Sequence, residues 1–195
     1  MTSTDICNLA LSHIGVGTIR DISDDTETAR TCALYYDLTR KMLLREYPWG
    51  FARRIERLAE IDRKITGFAH VYMYPEQCVH IYRLTDGTPD ASERVQYEVV
   101  NLDNSTKAIA TDEADARADY VFDVTDPDVW DTLFTEVMTH KLAADMCMRL
   151  VGNAGLFEQQ MQLYQMAVGM AMTQVAKERQ RDPEPLRRYE KARWR

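Results

Sequence analysis

Two long helical runs with a short break between them constrain this chain more than any other feature. The first is "TDPDVWDTLFTEVMTHKLAADMCMRLVGN". It opens with Asp126 as the expected cap and Pro127 at the first helical position. Asp128 and Asp131 are placed to complement the helix dipole. Trp130, Phe134, Val137, Met138, Leu142, Met146 and Leu150 cover more than one face, which predicts a central helix. "VGNAG" then interrupts the pattern. The second run starts near Leu156 and carries Phe157, Met161, Tyr164, Val168, Ala171 and Val175 on one stripe. So short a connection permits only an antiparallel helical hairpin. Each arm of about 25 residues would span roughly 37 Å.

Upstream, a first helix is predicted from about Asp5 to Ile14. Thr2 or Ser3 serves as its cap, Gly15 ends it, and Ile6, Leu9, Ala10 and Ile14 form its buried face. A second follows in "ISDDTETARTCALYYDLTRKMLLREY". Asp24, with Glu27 three residues on, has the form of a capping box. Ala29, Cys32, Tyr36, Leu43 and Tyr47 make its stripe, and Pro48 stops it by forcing the preceding residue out of helical geometry.

Between the helical pairs the periodicity changes. "VHIYRL" and "YEVV" are short, β-branched and aromatic, and "ADYVFDV" alternates with Ala118, Tyr120, Phe122 and Val124 on one side. "TDGTPD" and "NLDNS" separate them as turns, while "RRIERLAEI" fits helix and strand equally. The expected fold is mainly α: a helical bundle with a long antiparallel hairpin, a small inserted antiparallel β-subdomain and a flexible C-terminal tail. The corresponding segments are 1–51, 52–125, 126–181 and 182–195.

Composition is that of an ordinary soluble globular protein, with 45% hydrophobic and 28% charged residues. No apolar run approaches the roughly 18 residues of a membrane span. The N-terminus has no basic region followed by an apolar stretch, so synthesis and folding in a cytosol are expected. Charge is unevenly placed. From Lys177 to Arg195 eight basic residues outweigh four acidic ones by +4, and with −7 overall the rest carries −11. An acidic body repels phosphates and argues against non-specific DNA binding by that body. The tail holds two prolines and cannot build a core of its own.

The motifs of catalysis do not appear. Cys7, Cys32, Cys78 and Cys147 stand alone without a CxxC pair, and small buried thiols are expected. His13, His70, His80 and His140 show no metal-ligand spacing, and a sheet face shared by His70, His80 and Glu76 is the nearest approach to a cluster. "GVG" at Gly15 to Gly17 is too short for a dinucleotide fingerprint. None of Ser3, Ser12, Ser23, Ser92 or Ser105 stands in a nucleophile elbow. The expectation is no enzyme, no cofactor and no metal. Seven methionines fall in the hairpin, and core filling explains most of them. Met166 and Met170 lie off the main stripe and point to a subunit interface.

The chain resembles the tail tubular protein A family, the head-to-tail adaptors of short-tailed bacteriophages. The resemblance is carried by "ICNLALSHIG", "DDTETARTCALYYDLTRKMLLREYPWGFARR", "YMYPEQCVHIYRL" and "YVFDVTDPDVWDTLFTEVMTHKLAADMCMRL", in that order over nearly the whole chain. It implies a virion protein, assembled in the host cytoplasm. Such adaptors form a twelve-membered ring that joins the portal to the tail nozzle and extends the channel for double-stranded DNA. DNA passes without specific binding, and no membrane is involved. The C-terminal segments dock on the portal, which assigns that contact here to Leu186, Arg187, Arg188, Tyr189, Lys191, Arg193, Trp194 and Arg195.

The "YPWGF" seam from Tyr47 to Phe51 reads as an aromatic plug between bundle and sheet, with Gly50 allowing a sharp turn. Arg53 and Arg54 are expected to pair with acidic neighbours rather than grip DNA. The alternative functions are a nucleic-acid-binding phage protein acting through its basic tail and, with less support, a tail-associated hydrolase.

Overall fold

The computed structural model describes residues 1–85 and 95–178. Among the described residues, four helices and six strands are arranged in blocks. Helices α1 (Ser3–His13) and α2 (Glu27–Glu46) come first. Strands β1 (Arg53–Arg57), β2 (His70–Met73), β3 (Cys78–Thr85), β4 (Tyr97–Asn101), β5 (Lys107–Thr111) and β6 (Arg117–Phe122) follow. Helices α3 (Thr132–Leu150) and α4 (Ala154–Glu178) close the order.

The expectation of a mainly α bundle with a small β-insertion is wrong. The strands form two three-stranded antiparallel sheets, ordered β1-β6-β3 and β2-β5-β4, and the fold is a mix of α and β. They also build a core of their own. Tyr72 and Ile109 of the second sheet meet Ile81, Leu84, Ala118 and Tyr120 of the first, all buried. The first sheet has apolar side chains on both faces. Val121 joins the helical core, and Val79 and Tyr82 pack against it. The layers are therefore helices, first sheet, second sheet. Residues alternate along β6 because successive strand side chains point to opposite faces. Ala118, Tyr120 and Phe122 face the second sheet as the pattern predicted, but Val124, beyond the strand, packs against the helices.

Caps fix the helices. Thr2 and Asp5 form a reciprocal capping box on α1, with Asp5 N–H donating to Thr2 Oγ1 at 3.2 Å and Thr2 N–H to Asp5 Oδ2 at 2.7 Å. Thr26, not Asp24, caps α2 and accepts from the Ala29 N–H at 3.1 Å. Asp24 instead accepts from Asp21 N–H. Asp126 caps only a single 3-10 turn at Pro127–Val129, and Asp131 caps α3 by accepting from Leu133 N–H at 2.7 Å. Gly15 (φ +70°) and Gly152 (φ +68°) end α1 and α3 in the left-handed region that glycine enters without steric cost.

Helix α3 is the hub and packs against α1, α2 and α4. Phe134, Val137, Met138, Leu142 and Met146 are fully buried on it, which accounts for its broad apolar surface. The aromatic seam joins the layers. Trp49 is 1% exposed, lies edge-on to Phe134 at 4.9 Å, and donates from Nε1 to the Leu43 carbonyl at 3.0 Å. Phe51 meets Phe134 at 5.1 Å. Gly50 opens a 3-10 turn without a left-handed φ, so the turn does not depend on glycine.

Candidate interaction surfaces

Among the described residues, no three of His, Cys, Asp and Glu gather as metal ligands would. An open depression of about 380 Å³ is lined by Phe68, Val95, Gln96, Tyr97 and Glu98, which supply one carboxylate and no nucleophile. His13 and His140 come together where the helices meet, while His70 and His80 lie in different sheets. His70 Nδ1 sits 2.7 Å from Glu60, and His80 lies edge-on to Tyr82 in the other sheet, so the two share no face with Glu76. Cys7, Cys32 and Cys147 are buried, and contact with Cys32 together with burial pushes the Cys7 thiol up.

The ionic groups nearest the sheets hold structure. Asp119 is 4% exposed and accepts from Arg53 Nε and a terminal nitrogen, both at 2.6 Å, and from Arg83 Nε at 3.1 Å. Burial alone would raise its carboxyl, but the Arg53 hydrogen bonds and charge, then those of Arg83, hold it below the usual carboxylate range. Arg54 departs from expectation: its guanidinium lies over the Phe122 ring, 3.2 Å from the centroid. Arg40, 2% exposed on α2, pairs with Asp123 and with Asp37.

Two helix faces remain open. On α4 the buried side is Gln160, Tyr164, Ala167 and Ala171. Opposite it, Gln159, Gln162, Met166, Gly169, Met170 and Thr173 are exposed. Met166 is 62% and Met170 56% exposed, so both predicted interface residues reach solvent. From Gln159 to Ala176 the helix has no charged residue, a length of roughly 27 Å at 1.5 Å per residue. A solvated helix face ordinarily carries charges, and loss of charge with retention of methionine is the composition of an interface centre.

On α2 a second stripe went unnoticed in the sequence. Leu34, Leu38 and Met42 repeat at i, i+4 and i+8, with Leu34 59% and Leu38 67% exposed. They lie opposite the buried Cys32, Tyr36 and Leu43. Helices α2 and α4 both pack on α3 and scarcely contact each other, so the two open faces are separate patches.

No family model and no curated protein matches this chain.

Beyond sequence resemblance, then, the functional reading rests on these faces. The signal that would reveal the α2 stripe is its spacing, since an amphipathic helix with apolar residues at two opposed angles has one stripe too many for a single core. The eight residues assigned to portal contact, Leu186 to Arg195, lie outside the described residues.

Proposed function

We propose that this chain is a structural head-to-tail adaptor of a short-tailed bacteriophage, a ring subunit between portal and tail nozzle. The observation that carries the reading is the pair of open faces on two different helices: the uncharged Met166–Met170 face of α4 and the Leu34–Leu38–Met42 stripe of α2. A closed ring is heterologous, with the front of one subunit meeting the back of the next, and needs two different patches per chain. A dodecamer follows from the family resemblance. The −11 charge on the chain before Lys177 fits a channel wall along which a polyanion slides rather than sticks. The basic C-terminal segment, with Leu186, Tyr189 and Trp194 as anchors, is assigned to the portal.

The test mixes the purified chain with its portal and reads mass and image by light scattering and electron microscopy. A stoichiometric ring stacked on the portal is the expected result. No complex with portal, or tight salt-dependent DNA binding by the isolated chain, overturns the reading.

A further inference from the structure

Where α1, α3 and α4 meet, two imidazoles stack. The rings of His13 and His140 lie 4.4 Å apart with an interplanar angle of 20°. His13 is the last residue of α1, and His140 is mid-way along α3. Gln160 of α4, 3% exposed, ties both together. Its Oε1 lies 3.0 Å from His140 Nδ1, and its Nε2 donates to the His13 carbonyl at 3.2 Å. A carboxamide oxygen only accepts, so His140 presents Nδ1–H to it. Every atom of Gln160 that can hydrogen-bond toward this junction is used on a neighbouring helix.

We propose that His13, His140 and Gln160 form a proton-operated latch between α1, α3 and α4, closed while the stack is neutral and opened when it gains charge. Face-to-face imidazoles tolerate each other when neutral and repel when both are cations. The junction offers little to absorb that charge. From α3, Glu136 is the acidic group that acts on His13. Lys141, beside His140, is taken by Asp145. From α4 the neutral Gln160 meets the junction. Burial first, and then the neighbouring His140, lower the affinity of His13 for a proton, and Glu136 offsets this in part.

The sign follows directly. His13 binds its proton at lower pH in the folded chain than in the unfolded one, so the closed latch is fully stabilising above the free imidazole value of about 6.5. The contribution is lost as pH falls from there through the folded value. Below it, repulsion between the stacked rings drives the end of α1 away from α3, and Gln160, which is bonded to both, can no longer hold the two together, so α4 loosens from the end of α1. This inference stands apart from the adaptor reading.

The experiment uses the full chain. Amide hydrogen exchange, corrected for intrinsic rate, is compared at pH 7.5 and 5.5. Amides of α4 around Gln160 and of the last turn of α1 are expected to exchange at least about tenfold faster at the lower pH, relative to α2. In the His13→Gln/His140→Gln double variant that ratio is expected to be flat. An unchanged ratio in the native chain, or the same acceleration in the double variant, overturns the proposal. Should the double variant fail to fold, the His13 proton titration followed by NMR decides: His140→Gln is expected to raise its midpoint, and an unmoved midpoint overturns the latch.

Discussion

The indole of Trp49 meets the Phe134 ring edge-on at 4.9 Å, and this contact fastens the chain's first helix-to-sheet crossing to the hub helix α3. Pro48 stops α2, a single 3-10 turn follows, and β1 begins three residues after Gly50. The Trp49 Nε1–H reaches back to the Leu43 carbonyl, which also accepts from the Tyr47 N–H at 3.3 Å, so the indole adds a second bond at the helix end.

Trp49→Ala removes the largest fully buried side chain of the protein's described core, and a loss of about 3–5 kcal/mol is expected in urea denaturation. Trp49→Phe keeps an aromatic edge but drops the hydrogen bond, and a loss of about 1–2 kcal/mol beyond any repacking is expected. Equal, small effects from both would show that the plug does not hold the layers together.

The Asp119 cluster gives a pH-dependent prediction. Its folded carboxyl is depressed, so its contribution is present above the ordinary carboxylate range of about 4 and lost as pH falls through the folded value. Stability measured by urea midpoint should fall more steeply between pH 5 and about 2.5 in the native chain than in Asp119→Asn. At neutral pH, Asp119→Asn should cost about 2–3 kcal/mol. That is below the full cost of breaking a buried pair, because the Arg53 side chain is 32% exposed and partly re-solvates. Parallel pH profiles for the two proteins would remove Asp119 from the account.

How much of this was legible in the sequence depends on the element. Helix α3 declared itself because its apolar residues and Gly152 agree on where it runs and stops. Strand β1 did not. "RRIER" is exposed at four of its five positions, so its place comes from pairing with β6 and not from any apolar pattern. Strand β5 was missed for the opposite reason. "KAIAT" is buried from Ala108 to Thr111 between two strands, and two alanines have weak intrinsic preference for a strand. With β1, β2 and β5 absent from the strand pattern, the sequence supports one small sheet in a mainly helical fold, where the structure has two three-stranded sheets. Met166 and Met170 were legible as off-stripe residues. Leu34 and Leu38 carry the same signal on α2, but a stripe does not announce whether it faces the core or a partner.

Charges placed on the open faces should separate assembly from folding. Met166→Glu or Leu38→Lys alters an exposed position, so stability should stay within about 0.5 kcal/mol of native. Either variant should form rings with portal at least about tenfold less well, because an unpaired charge is buried in the seam. Normal ring formation by both would take the two faces out of the interface.

Removing Pro183 to Arg195 tests the assigned docking arm. Portal affinity should drop by at least about a hundredfold if Leu186, Tyr189 and Trp194 anchor the contact, since buried aromatic and arginine anchors dominate such interfaces. The urea midpoint of the free chain should not move. Unchanged portal affinity would assign the docking contact elsewhere.

The central claim is that α2 of one subunit meets α4 of the next. The most direct measurement is ring formation on the portal by Leu38→Lys, by Met166→Glu and by the variant carrying both, read as particle mass. In a head-to-tail seam the new lysine and glutamate of successive copies face each other, so the double variant should regain rings that each single variant loses. If the double variant assembles no better than the worse single variant, the two faces do not meet and the account is contradicted.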